Sequence, residues 1–206
     1  MARKKMAGRK TKKRSFNLLN EYKNCWKYIL ESKKFIYFVV GIFLFFLLMG
    51  FFVPAPEFLS NEIMKFIREL LTETQNMSPL DLISFIIYNN VQSTFLSIIL
   101  GILFGIFPLA SAVANGYTLG FVSSISVNNS GLLSLFKILP HGIFELPAIF
   151  ISLGLGLKTG MFVFRKDKVK AFRDYLGNSL RIFLLIIIPL LIIAGIIEGT
   201  LVFLLK

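Results

Sequence analysis

The sequence holds one histidine, His141, and Glu145 follows it four residues later in Leu139-Pro140-His141-Gly142-Ile143-Phe144-Glu145-Leu146-Pro147-Ala148. On a helix, that spacing puts both side chains on one face. The surrounding residues are apolar, so the pair is expected at membrane depth. Ionisable groups there face a cavity or a partner. Three kinds of chemistry fit. The two groups could bond each other, the carbonyl of Ile143 freed by Pro147, and nearby Asn amides, and so fix a helical bundle. They could relay a proton or an ion in a transporter. They could also serve catalysis, with Glu145 as general base or both groups as metal ligands. A catalytic zinc usually takes three protein ligands. This chain has no second His, and its His-x-x-x-Glu spacing is not the His-Glu-x-x-His pattern. No serine nucleophile elbow is visible. No catalytic residue, metal or cofactor is therefore assigned.

Amides add to this set. Asn89, Asn90, Gln92, Ser93 and Thr94 cluster after residue 88, Asn115 precedes Gly116, and Asn128-Asn129 interrupt a later apolar run. Side-chain amides both donate and accept, so they suit helices that meet in a bundle or line a polar cavity. Glu198 lies in the last apolar run and carries little weight here. The candidate polar site is His141, Glu145, Asn89, Asn90 and Asn115.

These residues need elements that hold them inside a bilayer. Over 206 residues, 55% are hydrophobic and Phe alone occurs 23 times, yet the formal net charge is +12; the mean hydropathy is +0.73. Such apolar content excludes disorder, and the apolar runs are too long for one soluble core. Residues 1–34 carry twelve Lys or Arg against Glu21 and Glu31, a net +10. Residues 54–81 carry −3 and residues 158–181 carry +5. The remaining charged residues cancel, so the charge sits in three hydrophilic segments. Short basic segments stay on the cytoplasmic side. Residues 1–34 and 158–181 are therefore expected inside, and 54–81 outside. A basic tail also suits nucleic acid, but topology and anionic headgroups account for this charge without it. The apolar run after the tail is too long for a signal peptide, and no small-residue cleavage site follows it.

The expected fold is all-α: a polytopic transmembrane bundle of about five spans, with the N-terminus inside and the C-terminus outside. A basic segment 1–34 precedes a single transmembrane domain 35–206. The expected spans are 35–53, 91–113, 116–136, 141–164 and 183–205. The Pro54-Ala55-Pro56 breaker ends the first. The third is the weakest and reads as a broken or re-entrant helix, allowed only where protein covers its backbone. Residues 57–75 read as an outer amphipathic helix, and 165–181 as a basic amphipathic segment along the inner interface.

Glycines recur at spacing four in Gly101/Gly105, Gly116/Gly120, Gly156/Gly160 and Gly195/Gly199. Such pairs let helix backbones approach closely in lipid. Packing within the chain is the plainer reading; a homo-oligomer contact through one pair is the sharper one. Cys25 is the single cysteine, which excludes an intramolecular disulfide. Lipidation of an interfacial cysteine competes with a buried thiol.

The Asn89-Asn90 pair, Ala114-Asn115-Gly116 with Gly120, and above all the 139–148 stretch resemble the stage II sporulation protein M family of integral membrane proteins. The resemblance covers about residues 20–205. It implies a five-span membrane protein which, in spore formers, anchors peptidoglycan-degrading partners and scaffolds rather than hydrolyses. This chain resembles a stand-alone archaeal or non-sporulating member, so the sporulation role is not carried over. Topology and the weight of Asn89, Asn90, Asn115, His141 and Glu145 are. The resulting expectation is a non-enzymatic, multi-pass protein of the cell membrane that scaffolds or organises, with a role in membrane or envelope remodelling. Its partners would be the bilayer, with anionic headgroups at the basic inner segments, a second copy of itself, or an envelope protein. The alternatives are a proton-coupled small transporter or lipid translocator using Glu145 and His141, and an intramembrane hydrolase.

Overall fold

A computed structural model describes residues 17–204, without the side chains of 136–144 and of 203–204. The basic tail before residue 17 and the side chain of His141 lie outside the described residues. Every regular element described is helical: α1 Leu18–Glu31, α2 Lys33–Phe52, α3 Glu57–Thr74, α4 Pro79–Leu100, α5 Ile106–Ser130, α6 Leu135–Gly160, α7 Lys168–Ile182 and α8 Ile188–Leu204. Five stretches are long and apolar enough to cross a membrane: Lys33–Phe52, Pro79–Leu100, Ile106–Ser130, Glu145–Phe164 and Lys168–Val202.

Local chemistry sets the helix ends. The Asn17 side chain accepts from the Leu19 N–H at 3.1 Å and starts α1. The Ser78 hydroxyl accepts from the Asp81 N–H at 3.3 Å, and Pro79 occupies the first turn of α4. Asp167 caps α7 through the Lys170 N–H at 3.0 Å. Each cap satisfies a donor that the first turn would otherwise leave open.

The second and third spans differ from the sequence expectation. The expected 91–113 crossing contains a break, because α4 ends at Leu100 and a turn at 101–105 reverses the chain. Phe104 and Gly105 have φ of 54° and 71° there. Glycine accepts the left-handed region freely and phenylalanine does not. The third crossing, expected at 116–136 as a broken or re-entrant helix, is instead one unbroken helix, Ile106–Ser130. It ends only at Gly131, with φ 76°. Asn128-Asn129 thus mark the end of a span, not a gap within one. α6 begins at Leu135, before Pro140, and continues through Pro147.

The basic segment 165–181 also differs. α7 is no separate surface helix, since five π-helical residues, Phe183–Ile187, join it directly to α8. Pro189 follows that turn and removes one backbone donor. A π turn is a common way to absorb such a lost bond without ending the helix. α1 was not anticipated, because the charge of 1–34 masked its apolar stripe. That stripe buries Cys25 and Ile29 with Ile182, Phe183 and Ile187.

α6 lies at the centre and packs on α2, α4, α5 and α8. α2 lies along α5, and α4 lies along α8. α3 packs only slightly on the rest, and Phe58, Phe66 and Leu71 remain exposed on it. The glycines make the bundle tight. A Cβ on Gly156 would collide with the Ser97 carbonyl oxygen, and one on Gly101 with the Gly156 carbonyl oxygen. Gly160 meets Gly105, Gly116 meets Phe43, and Gly120 meets Leu47. Gly195 and Gly199 rest on Ile87 and Ile83 of α4. All eight glycines named from the sequence therefore pack inside the subunit. Gly50 and Gly154, which fall outside the spacing-four pattern, do the same against Tyr117 and Ile36.

At the inner end, Lys158 is only 8% exposed and donates to the Ser32 hydroxyl at 2.8 Å. Its ammonium stands 3.6 Å from the centre of the Tyr28 ring and 5.5 Å from that of Tyr175. This is cation–π packing that ties α1 and α7 to α6. Lys158 is thus buried at the inner end of this span instead of reaching out to the interface. Arg181 and Glu21 add a 3.2 Å ion pair between α7 and α1.

Two outcomes follow from this packing. Gly156→Ala drives a methyl into the α4 backbone and should cost about 2 kcal/mol or more. Gly41→Ala, at a glycine with open space around it, should be neutral or slightly stabilising; thermal unfolding in detergent compares the two. Burial raises the Cys25 thiol above its ordinary range, with Arg181 pulling the other way. A raised thiol leaves less thiolate near neutral pH, and Cys25 is 2% exposed. Its reaction with a maleimide should run at least about tenfold slower than that of a free thiol until the protein unfolds. Lipidation at Cys25 has no access in this state.

Candidate functional site

The break at 101–105 sets the depth of the polar residues. α4 starts at Pro79, so Asn90 stands about 16 Å along it, near mid-bilayer. Asn115 lies about 14 Å from the inner end of α5, and Glu145 about 15 Å from the outer end of α6. The expected span 91–113 puts Asn89–Thr94 at its outer end and Asn115 at its inner one. The helix bounds bring both to the middle.

There they meet. A cavity of about 80 Å³ is lined by Asn89, Asn90, Ser93, Thr94 and Ser97 of α4, Ser111 and Asn115 of α5, and Glu145, Ile149 and Ser152 of α6. Nine of these ten side chains are polar, in a bundle otherwise held by Leu, Ile and Phe. The Asn90 amide lies within hydrogen-bonding reach of the Glu145 carboxyl, and Glu198 of α8 is close enough to act on it electrostatically. The hydroxyls bond back to their own helices. Thr94 donates to the Asn90 carbonyl at 2.7 Å, Ser97 to that of Ser93 at 2.8 Å, and Ser152 to that of Ile149 at 2.8 Å. The Asn115 amide donates to the Ser111 carbonyl at 2.8 Å and to its hydroxyl at 3.1 Å. With donors spent on the backbone, hydroxyl lone pairs stay available to the cavity.

The space suits a few water molecules or one small polar solute, since a water occupies about 30 Å³. Its inner end closes where Gly156 and Gly101 bring the α4 and α6 backbones together. Among the described residues, no group of three or more His, Cys, Asp or Glu comes together. Asn128 and Asn129 stay outside the cavity. A larger open groove of about 650 Å³ runs along the polar side of α3 and shares no residue with it.

Of the five site residues named from the sequence, the structure brings Asn89, Asn90, Asn115 and Glu145 to one cavity. Ser97, Ser111 and Ser152 were missed. Their signal was a period: Asn90, Ser93 and Ser97 share a face of α4, Ser111 and Asn115 are four apart, and Glu145 and Ser152 are seven apart.

The family model for stage II sporulation protein M matches residues 38–202. An uncharacterized protein of Methanocaldococcus jannaschii is 30% identical over 198 residues, covering 89% of this chain and 88% of the relative. A second uncharacterized protein of that organism is 34% identical over 119 residues, or 55% of this chain and 66% of the relative. No solved structure matches the chain.

The Asn90–Glu145 contact yields a stability test. Glu145→Gln keeps a partner for the Asn90 amide and should change stability by less than about 1 kcal/mol. Glu145→Leu strands that amide and should cost about 1–3 kcal/mol. Chemical unfolding in mixed micelles distinguishes the two.

Proposed function

The chain belongs to the stage II sporulation protein M family of membrane proteins, and from the Glu145 cavity we propose that it is a non-enzymatic transport protein of the cell membrane. It moves a proton, alone or with a solute of a few heavy atoms, through the centre of the bundle. The observation that carries this reading is a polar cavity at mid-bilayer that reaches one acid. An ionisable group at that depth is costly. Hydratable space beside it lets water reach the carboxyl and exchange a proton with it. Glu145 is the proton carrier, Asn90 orients its carboxyl, and the hydroxyl oxygens of Ser97, Ser111 and Ser152 accept from water in the cavity, which provides the onward path towards the inner leaflet. Glu198 stands on the outer side of Glu145 as the charged neighbour that a proton meets first. The basic inner segments hold the N-terminus on the cytoplasmic side.

The scaffold reading is favoured by a different observation. α3 is amphipathic, packs little on the bundle, and exposes Phe58, Phe66 and Leu71. That surface suits the outer headgroup layer or an envelope partner.

Proteoliposomes with a pH-sensitive dye inside separate the readings. Under an imposed pH gradient, the wild type should acidify the lumen measurably faster than empty vesicles. Glu145→Gln should abolish that flux while keeping the wild-type elution profile and helicity. Equal rates for the two proteins would remove Glu145 from any transport role and leave the scaffold.

A further inference from the structure

The cavity is not closed on all sides. α4 leans on α8 and α6, α5 leans on α2 and α6, and a cleft remains between α4 and α5. Asn89, Ser93 and Asn115 are exposed at its mouth, at the depth where hydrocarbon would surround them. The lipid-facing side of α2 is apolar by contrast, with Tyr37, Phe38, Leu44, Phe45 and Leu48 exposed, and Gln92 of α4 is exposed three residues from Asn89. Amides left in hydrocarbon cost several kcal/mol each.

We propose that a second copy of this chain covers the α4–α5 cleft, forming a twofold dimer in which the partner closes the open side of the polar cavity. Three observations select this occupant. First, a side-chain amide carries donors and acceptors together, so a face bearing Asn89 and Asn115 is complementary to itself across a twofold axis. Second, Ala110 and Ala114 lie exposed beside Asn115 at spacing four, which lets a second α5 approach closely. The glycine pairs of that spacing are already used within the subunit. Third, the cavity of about 80 Å³ is too small for a phospholipid headgroup to enter and satisfy the amides. The dimer does not depend on transport, because it answers an exposed polar surface whether or not protons move.

Cysteine cross-linking in native membranes tests it in a Cys25→Ser background. Under a mild oxidant, Asn89→Cys and Ser93→Cys should form disulfide-linked dimers at least tenfold faster than Phe45→Cys on the lipid-facing side of α2. Wild-type protein in nanodiscs should have the mass of two chains, and Asn89→Leu/Asn115→Leu should shift it to one. A wild-type particle of one chain, with Asn89→Cys cross-linking no faster than Phe45→Cys, overturns the proposal. Phospholipid retained by such a monomer in proportion to Asn89 and Asn115 would identify lipid as the occupant instead. Because cross-linking and mass do not read flux, a failure here is distinguishable from a failure of the transport reading.

Discussion

Close contact between helix backbones at the inner half of α6 is the constraint on which the rest depends. Gly156 lies against the Ser97 carbonyl, Gly101 lies against Gly156, and Gly160 meets the α4–α5 turn. In lipid, no solvent squeezes helices together, so dispersion and interlocking shape do most of the work. Glycine lets two helix axes approach until backbone touches backbone. Here that approach has a second result. It aligns Ser97 of α4 with Ser152 of α6, and about two helical turns outward it aligns Asn90 with Glu145. The tight end and the polar cavity are thus consequences of one packing arrangement.

The inner end is reinforced by different physics. Lys158 gives up its hydration for one hydroxyl and two aromatic faces. Burial of a cation is costly unless its surroundings replace water, and the electron-rich faces of Tyr28 and Tyr175 do part of that. The contact recruits α1, whose Lys23 and Lys27 are balanced by Glu21 and Glu31, and α7, where Lys168, Lys170, Arg173 and Arg181 outnumber Asp174. Burial also pushes the Tyr28 phenol well above its usual range, so the ring stays neutral beneath the ammonium. On α7, the contacts that seal the inner end therefore lie beside part of the charge that orients the protein in the membrane.

The legibility of the chain differed from residue to residue. The first span was plain from its composition and from Pro54. The α4 start was signalled by Ser78-Pro79, yet the span was expected from residue 91, because the amides at 89–94 look like an interface. In the folded chain those amides face a cavity shared by three helices, so they sit at mid-span. Asn128-Asn129 misled in the opposite sense, marking an end where a break was expected. The turn at 101–105 was hidden because Gly101 and Gly105 also fit a packing pair, and they serve both purposes. Glu145 was visible as a lone acid in an apolar run. Ser97, Ser111 and Ser152 were not, since a serine bonded to its own helix is common in any span.

By itself, the sequence determined the all-helical class, the number of crossings and the separation of charge, because hydrocarbon thickness and backbone hydrogen bonding leave few alternatives. It also determined that an acid, Glu145, would lie at depth, whereas residues 89–90 and 115 were expected at the ends of a span. Tertiary structure alone decided that these residues share one cavity, that the cavity ends at the Gly101–Gly156 contact, and that it stays open between α4 and α5. Those facts depend on which helices touch. Helix contact in a membrane is set by shape, read through glycines whose partners are up to 118 residues away in the chain, as Gly154 is from Ile36, and a period along one helix does not name the face of another.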